Sequence, residues 1–338
     1  MGARGDAKRA EPPKAEALDV ALATLVDQAP VGDEWLHEIK LDGYRIVARI
    51  AQGKVQLLSR RHHDWTAKAP TIARALEALP VHNAVLDGEL CSVRKDGVTD
   101  FQALQNAMSE SGAASLKYFA FDLLFLNGED LRAESLLDRK AALAGLLGRA
   151  KPSALLRLSD HVVGDGPRFF AQACKLGLEG IISKRATAPY RATRGHDWLK
   201  IKCISRQEFV IGGFTPPAGA RTHFGALLIG VREGTKLRYA GKVGTGFSGR
   251  TLASLHAKLT PLQRDTAPFA NPPRGAPVKG ARWVEPVLVA EIAFTEFTKD
   301  GHLRHPSFVG LREDKAAKDV VRETPEKTGK KKAAKRRT

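Results

Sequence analysis

Apolar positions in the first 205 residues alternate in short runs bounded by Gly and Asp, and this pattern predicts strands. The predicted strands are 35–40, 45–50, 55–59, 84–90, 118–124, 181–184 and 198–202. Helical spacing of apolar residues predicts helices at 66–79, 101–108, 136–147 and 167–176. Because the strands form hairpin-like pairs and do not alternate regularly with helices, we expect an α+β fold with mainly antiparallel sheets.

The pattern changes beyond residue 206, where Gly and Pro punctuate the chain. Strands are predicted at 209–214, 226–232, 236–243 and 287–297, one helix at 249–259, and a loop at 266–280. These features favour a small β-barrel after a boundary near 203–207. Gly244, Gly246 and Gly249 match a G-x-G-x-x-G dinucleotide fingerprint, but no βαβ unit flanks them, so we interpret them as a turn of the barrel.

Composition narrows the class of protein. The 338 residues suit two domains, and a hydrophobic content of 43% excludes global disorder. The sequence contains no apolar run long enough to span a membrane, and no secretory signal is visible at its N-terminus. The odd number and scattered positions of Cys91, Cys174 and Cys203 argue against a disulfide framework or a zinc knuckle, and fit a reducing compartment.

The formal net charge of +17 is divided between tails and body. Residues 321–338 carry +6 and residues 1–14 carry +2, which leaves +9 for the body. We expect both tails to be disordered. The C-terminal tail fits a solvated segment, a targeting address or a phosphate-binding arm equally well. The basic body favours a polyanion, nucleic acid above all, as the partner.

Lys40 is the sharpest candidate for chemistry, since it stands between a predicted strand and a turn at Asp42–Gly43. An ordinary lysine has a pKa near 10.4 and is a poor nucleophile at neutral pH, but nearby cations or burial lower that pKa. A plain edge-strand lysine beside a tight turn is the competing interpretation. From this segment alone both remain open.

Other segments add candidate groups, each with a bland alternative. Asp87 and Glu89 suit a divalent metal or a ribose hydroxyl, or are ordinary acids at a strand end. Phe121 suits base stacking or core packing. Lys200 and Lys202 alternate with apolar residues and therefore share one face of a strand. Two cations on the buried side of a cleft are costly unless phosphate lies between them.

Taken in order, these segments resemble the covalent nucleotidyltransferases, and specifically the ATP-dependent DNA ligases. The sequence at 40–45 matches the family motif K-x-D-G-x-R without a departure, and the later motifs match at 59–60, 87–89, 121–122, 179–184, 200–202 and 303–315. The amino-acid sequence of several segments, such as FDLLFLNGEDL, is especially similar to that of the ligase domain of bacterial DNA ligase D. The resemblance covers roughly residues 20–320.

The resemblance implies a role for each matching residue. Lys40 would attack the α-phosphorus of ATP and hold AMP as a phosphoramidate. The nucleotide would be bound by Glu38, Arg45, Arg60, Glu89, Phe121, Glu179, Lys184, Lys200 and Lys202. Glu89 and Glu179 would also bind Mg²⁺ or Mn²⁺. Arg312, Asp314 and Lys315 would orient the departing pyrophosphate.

The resemblance also implies the organisation of the chain and its setting. Residues 15–205 would form the nucleotidyltransferase (adenylation) domain and 206–320 an all-β OB-fold barrel. Because only 39 residues precede Lys40, we expect no helical DNA-binding domain there. The substrate would be nicked or broken duplex DNA, with Ku and a separate end-joining polymerase as partners. A monomer in the bacterial cytoplasm, associated with the nucleoid and not with membranes, is expected.

Two alternatives stay open at the level of sequence. One is an RNA ligase or a GTP-using capping enzyme, because one aromatic residue and a few lysines do not select a base. The other is a catalytically inactive DNA-binding scaffold built on the same core. Covalent labelling of the protein by labelled ATP, followed by sealing assays on nicked DNA and nicked RNA, would distinguish these alternatives.

Overall fold

A computed structural model describes residues 11–109, 116–217, 219, 221–275 and 278–327. Residues 1–10 and 328–338, which hold most of the two predicted tails, lie outside this range. Within it, the chain divides into two compact units. The first comprises 11–100, 116–203 and 324–327, and the second comprises 101–109 and 204–323 with its gaps. No helix in the described ranges is long and apolar enough to cross a membrane.

The first unit contains eleven strands and three helices among its described residues. Its strands are β1 (Leu22–Leu25), β2 (Trp35–Ile39), β3 (Tyr44–Ala51), β4 (Lys54–Ser59), β5 (Ala84–Ser92), β6 (Leu116–Leu126), β7 (Glu129–Asp130), β8 (Leu156–Leu158), β9 (Val162–Val163), β10 (Gly180–Arg185) and β11 (Arg194–Lys202). Its helices are α1 (Pro70–Glu77), α3 (Leu136–Arg149) and α4 (Gly166–Lys175), while α2 (Phe101–Ser109) belongs to the second unit.

Two sheets build the first unit. One has the order β1-β11-β10-β2-β9, and the other has the order β4-β3-β5-β6-β7 with β8 paired to β6. The pairs are antiparallel except β1 with β11 and β6 with β8, which are parallel. An apolar cluster that includes Phe121, Tyr190 and Trp198 packs residues of both sheets together. The sheets therefore face each other across this cluster, and the α+β, mainly antiparallel prediction is confirmed.

The second unit is built on one seven-stranded sheet. Its strands are β12 (Arg206–Phe214), β13 (Leu227–Glu233), β14 (Lys236–Val243), β15 (Gln263–Arg264), β16 (Arg282–Val284), β17 (Val289–Ala293) and β18 (Ser307–Leu311). Helix α5 (Gly249–Leu259) matches its predicted bounds. Ser248 is its N-cap, and the Ser248 side chain accepts a hydrogen bond from the N–H of Thr251. The Gly244–Gly249 segment is the turn between β14 and α5, and the unit is consistent with an OB-fold.

The structure differs from the sequence predictions in several places. The predicted helix 66–79 is a 3-10 turn, Thr66–Lys68, followed by α1, because Pro70 starts a new helix. Residues of the predicted C-terminal tail are paired: Val321 bridges to Arg232, and Glu326 bridges to Val26 beside β1. Backbone hydrogen bonding thus extends into a segment whose charge suggested solvation.

The cysteines also differ from expectation. Cys174, at the end of α4, and Cys203, after β11, form a disulfide although 29 positions separate them. Cys91 is free and buried. The fold brings the ends of α4 and β11 together, and no spacing rule in the sequence reports such proximity.

Candidate active site

Lys40 follows directly after β2, and main-chain and side-chain contacts both fix it. Its N–H donates to the carbonyl oxygen of Gly180 in β10 at 2.9 Å. Its Nζ donates to Oε2 of Glu179 at 2.6 Å. The Lys40 side chain is 22% exposed and that of Glu179 only 4%. A cation that solvent can reach is therefore held by a nearly buried carboxylate.

Three sequence segments converge around the thiol of Cys91 in β5. Burial raises the pKa of Cys91 well above its usual value, and the charges of Glu89, Asp42 and Glu179 raise it further while Lys40 lowers it. Electrostatic influence of this kind falls off with distance. Lys40, Asp42, Glu89 and Glu179 are therefore the charged groups that act on this thiol, and their role as one site stays a prediction.

Close backbone approach explains two of the motif glycines. A Cβ atom on Gly43 would lie 2.2 Å from the carbonyl oxygen of Leu90 and 2.8 Å from Sγ of Cys91. Gly180 has a φ of +151°, and a Cβ there would lie 2.0 Å from the carbonyl oxygen of Ile201. Only glycine lets the Lys40 segment sit this close to β5, and β10 this close to β11.

The predicted lysines share one face of the first sheet. Ile182 in β10 is paired with Glu38 on one side and Lys200 on the other. Lys184 is paired with Trp198, and Lys202 with Gly180. Paired residues, and every second residue along a strand, lie on the same face. Glu38, Lys184, Lys200 and Lys202 therefore project from the same side of the sheet.

Glu38 is only 2% exposed. Its Oε1 accepts from Nζ of Lys184 and of Lys140, both at 2.9 Å. Its Oε2 accepts from Oγ of Ser159 at 2.8 Å. Burial alone would raise the pKa of Glu38, but the charges of Lys184 and Lys140 outweigh it and the net pKa is lowered. Because this carboxylate is already engaged by three groups, its influence on a nucleotide would pass through Lys184.

Arg45 projects from β3 and is held by Asp87 of the neighbouring strand β5. Its Nε and Nη2 donate to the two carboxylate oxygens of Asp87 at 2.5 and 2.6 Å. Tyr190 donates its hydroxyl to the same carboxylate at 2.6 Å and accepts from the N–H of Ala21 at 3.0 Å. The pKa of Arg45 is raised: burial lowers it, but the charge of Asp87 more than offsets this. Arg45 is thus a permanently charged and well-oriented group.

Phe121 lies in the apolar cluster between the sheets and is 7% exposed. The guanidinium carbon of Arg45 is 4.5 Å from its ring centroid, and Nζ of Lys184 is 4.4 Å away. Trp198 packs against it edge-on at 6.0 Å. The ring thus contacts Arg45, predicted to bind the sugar, and Lys184, predicted to bind phosphate. Its stacking on adenine stays a prediction.

The remaining candidates of the first unit lie beside this group. Glu89 in β5 is paired with Arg45 in β3. Arg60 follows the last residue of β4 and is partly exposed. Among the residues that the structure describes, no group of three or more His, Cys, Asp or Glu side chains is arranged to hold a metal ion.

In the second unit, the three predicted pyrophosphate residues belong to a network of ion pairs. Arg312 binds Asp314 through Nε and Nη2, both at 2.8 Å, and binds Glu291 at 2.8 Å. Lys315 pairs with Glu208 at 3.0 Å. The pKa of Asp314 is lowered, because Arg312 outweighs the effect of its burial. Arg312 and Asp314 are therefore fixed within the unit.

Sequence reasoning missed several partners of the predicted residues. Lys140 holds Glu38, and Tyr190 supports Asp87. Arg139 binds both oxygens of Asp122 at 2.7 and 2.9 Å. Two adjacent basic residues within an amphipathic helix look like a solvated face, so the sequence carried no signal for Arg139 or Lys140.

The fold is that of a nucleotidyltransferase of the ligase type. The family model described as "ATP dependent DNA ligase domain" matches residues 12–202, and the model "ATP dependent DNA ligase C terminal region" matches 220–315. The chain belongs to the ATP-dependent DNA ligases.

Relatives and solved structures agree with this assignment. The chain is 44% identical over 316 residues to the "Multifunctional non-homologous end joining protein LigD" of Pseudomonas aeruginosa, covering 93% of this chain and 37% of that protein. It is 39% identical over 292 residues to the Mycobacterium tuberculosis protein of similar name, covering 86% of this chain and 38% of that protein. The chain therefore spans little more than a third of these curated relatives.

A solved structure described as "mycobacterial DNA ligase D complexed with ATP and MES" superposes with a TM-score of 0.71 at 37% identity. The match covers 92% of this chain and all of that chain. The ligase domain of M. tuberculosis LigD also matches, with a TM-score of 0.53 and the same identity and coverage. These matches confirm the sequence-based recognition of the family.

Proposed function

We propose that this protein is an ATP-dependent DNA ligase that seals 5′-phosphate/3′-hydroxyl nicks or breaks in duplex DNA through a covalent Lys40–AMP intermediate. The observation that carries the proposal is the geometry at Lys40. Its amine lies 2.6 Å from a nearly buried carboxylate, in the unit that bears all the matched motifs except the one at 303–315. The end-joining role printed for the relatives supports action on broken DNA.

In the first step, the Lys40 ammonium releases a proton to water, its neutral Nζ attacks the α-phosphorus of ATP, and the nitrogen releases a second proton to water as it becomes the phosphoramidate. A nitrogen–phosphorus bond forms, the bond from phosphorus to the pyrophosphate oxygen breaks, and pyrophosphate leaves. Glu179 orients the amine, because it is the carboxylate in direct contact with it. Lys184, Lys200 and Lys202 stabilise charge on the α-phosphate, since phosphoryl transfer depends chiefly on positioning and charge neutralisation.

The nucleotide is positioned by groups from the second sheet. Phe121 stacks on adenine, Arg45 and Arg60 bind the sugar and later the DNA 5′-phosphate, and Glu89 binds the ribose. Arg45 suits this role because the carboxylate of Asp87 fixes its guanidinium plane. AMP then passes to the DNA 5′-phosphate, and the 3′-hydroxyl displaces AMP as the new phosphodiester forms.

A divalent ion, Mg²⁺ or Mn²⁺, fits the donor set. Such ions are commonly held by one or two carboxylates together with substrate phosphates and water. Glu179 contacts Lys40, and Glu89 lies beside Gly43 in the same motif segment, so these two carboxylates would hold the ion. When bound, it would supply additional neutralisation of phosphate charge.

Arg312, Asp314 and Lys315 are proposed to orient pyrophosphate as it leaves. The buried Arg312–Asp314 pair fixes the backbone of this segment. Lys315 pairs with the carboxylate of Glu208 and is the member that would contact phosphate. We further propose action as a monomer in the bacterial cytoplasm at the nucleoid, together with Ku and a separate end-joining polymerase.

The test is transfer of label from α-³²P-ATP to the purified protein with Mg²⁺ or Mn²⁺. Wild type should acquire covalent label that is stable in alkali and released by acid, as expected of a phosphoramidate, and then seal a nicked duplex, and Lys40→Ala should do neither. Lys54→Ala is the matched control, because Lys54 is exposed on the β3–β4 hairpin. Label from GTP, or sealing of RNA nicks alone, would support the alternative transferases. DNA binding without label would support the inactive scaffold.

A further inference from the structure

Lys140 lies outside all the family motifs matched above, yet it is buried at the centre of the lysine-bearing face. It is 3% exposed and projects from α3. Its Nζ donates to Oε1 of Glu38 and to the carbonyl oxygen of Ser159, both at 2.9 Å. A lysine is rarely buried without a specific partner, and for Lys140 that partner is the carboxylate of Glu38.

Glu38 is shared between two ammonium groups. Lys184 and Lys140 both donate to the same oxygen, Oε1, at 2.9 Å, and all three side chains are at most 3% exposed. Two cations and one carboxylate leave this cluster, Glu38–Lys140–Lys184, with a net charge of +1. If Lys140 were absent, Glu38 and Lys184 would form a neutral pair.

The other buried ion pairs described in the first unit differ from this cluster. Arg45 with Asp87, and Arg139 with Asp122, each combine one cation with one carboxylate. An excess buried charge is costly and persists only with compensation. The rings of Phe121 and Trp198, 4.4 and 4.2 Å from Nζ of Lys184, supply part of it. An anion arriving at Lys184 would supply the rest.

We propose that Lys140 is a positioning residue for nucleotide binding: by competing with Lys184 for the Glu38 carboxylate, it keeps one positive charge in the cluster for the phosphates of the nucleotide. This inference rests on the proposed function, because it identifies the anion as the phosphates of ATP. Lys140 acts through Glu38 and Lys184 and need not touch the nucleotide itself.

The titration of Lys184 agrees with this arrangement. The pKa of Lys184 is lowered to about 8, chiefly by burial; the charge of Lys140 also lowers it, whereas Glu38 and Asp122 raise it. The net charge of the cluster should therefore fall from +1 to zero as pH rises through about 8.

Other charged groups face the same space from neighbouring elements. Arg139 offsets Asp122, and Arg45 lies over the Phe121 ring that also contacts Lys184. The pKa of His161 is lowered by its burial and then by Lys140, so this histidine is neutral above pH 7. Lys184 is thus the group expected to change charge between pH 7 and pH 9.

Binding of α,β-methylene-ATP, measured by calorimetry from pH 6.5 to 9.5, tests the proposal. Wild type should bind most tightly below about pH 8 and more weakly above it. Lys140→Met should bind roughly three- to tenfold more weakly at pH 7, because one nearby charge is lost. Lys140→Arg should stay close to wild type, and so should Arg149→Met, which removes an exposed cation from the same helix.

A double variant separates charge from packing. Glu38→Gln combined with Lys140→Met removes one negative and one positive charge, so the cluster returns to +1 through Lys184 alone. Because Glu38 is itself among the predicted nucleotide-binding residues, the double variant is compared with Glu38→Gln alone, and Lys140→Met should weaken binding at pH 7 less in that background than in wild type. An equal loss in both backgrounds would mean that Lys140 acts independently of Glu38, and the proposal would be overturned.

The titration of the Lys184 ammonium, followed by ¹⁵Nζ and ¹³Cε shifts and assigned with Lys184→Arg, needs no activity. Lys140→Met should raise the pKa of Lys184, since a repelling cation is gone and Glu38 remains. An unchanged Lys184 titration would refute the inference. If wild type neither binds the analogue nor takes label while the Lys184 titration does move, the proposed function fails and the linkage within the cluster stands.

Discussion

The buried pair Asp122–Arg139 should respond very differently to the loss of one partner and the loss of both. Neither side chain is exposed, and the two groups share hydrogen bonds of 2.7 and 2.9 Å. Arg139 also donates to the carbonyl oxygens of Glu134 and Ala188. Asp122→Asn keeps the shape of the site but leaves a buried guanidinium without its counter-ion. We expect it to lower the free energy of unfolding by about 3–5 kcal/mol.

Removing both charges should lower the free energy of unfolding far less than removing one. Burial raises the pKa of Asp122 even though Arg139 opposes it. The cost of removing the Asp122 carboxylate from water therefore exceeds its attraction to Arg139. Buried ion pairs of this kind can be replaced by apolar side chains at little cost in stability. The double variant Asp122→Leu/Arg139→Met should recover most of the stability lost in Asp122→Asn.

Urea unfolding followed by tryptophan fluorescence measures this difference. Of the four tryptophans, only Trp283 lies in the second unit, so a Trp283→Phe background reports on the first unit alone. Asp130→Asn is the matched control, because the Asp130–Arg132 pair is 48% and 40% exposed and should be worth less than about 1 kcal/mol. A loss below about 1 kcal/mol for Asp122→Asn would refute the reasoning.

Two further predictions follow from close packing and from burial. Gly43→Ala should abolish labelling by ATP, because the added Cβ would lie 2.2 Å from the carbonyl oxygen of Leu90. Gly148→Ala is the control: its Cβ would meet nothing within 4 Å, and the variant should label normally. Labelling of the Gly43→Ala protein would contradict the prediction. Burial raises the pKa of Tyr118 and Tyr190 well above the usual value and that of Tyr239 to about 12. Because the unfolded chain releases these protons near pH 10 and the folded chain retains them, stability should fall as pH rises above about 10. Absorbance at 295 nm and urea midpoints at pH 9 and 11 measure both effects, and equal midpoints would count against the assignment.

Much of the local structure was predictable from the sequence because it depends on near neighbours. Helix α5 has its predicted bounds, and β14 coincides with its predicted run. The predicted face shared by Lys200 and Lys202 holds because a strand alternates its side chains whatever sheet it joins. Strands shorter than four residues, such as β8 and β9, carry too little periodicity to be found.

The family and its motif residues could also be predicted from the sequence, because each motif is a short run of consecutive residues. The side chains that contact the motif residues could not be predicted. Tyr190 meets Asp87 across 103 positions, and Lys140 meets Glu38 across 102. The same holds for the disulfide between Cys174 and Cys203.

The order of residues along the chain was enough to indicate which side chains have the chemistry for nucleotidyl transfer: a lysine before a turn, alternating cations and paired acids. How those charges are balanced depends on the folded structure. Whether Glu38 meets one lysine or two depends on where α3 packs, and that contact sets the charge of the cluster around Lys184. Local patterns follow from backbone geometry, whereas the electrostatics of a buried site arise from contacts between segments far apart in the chain.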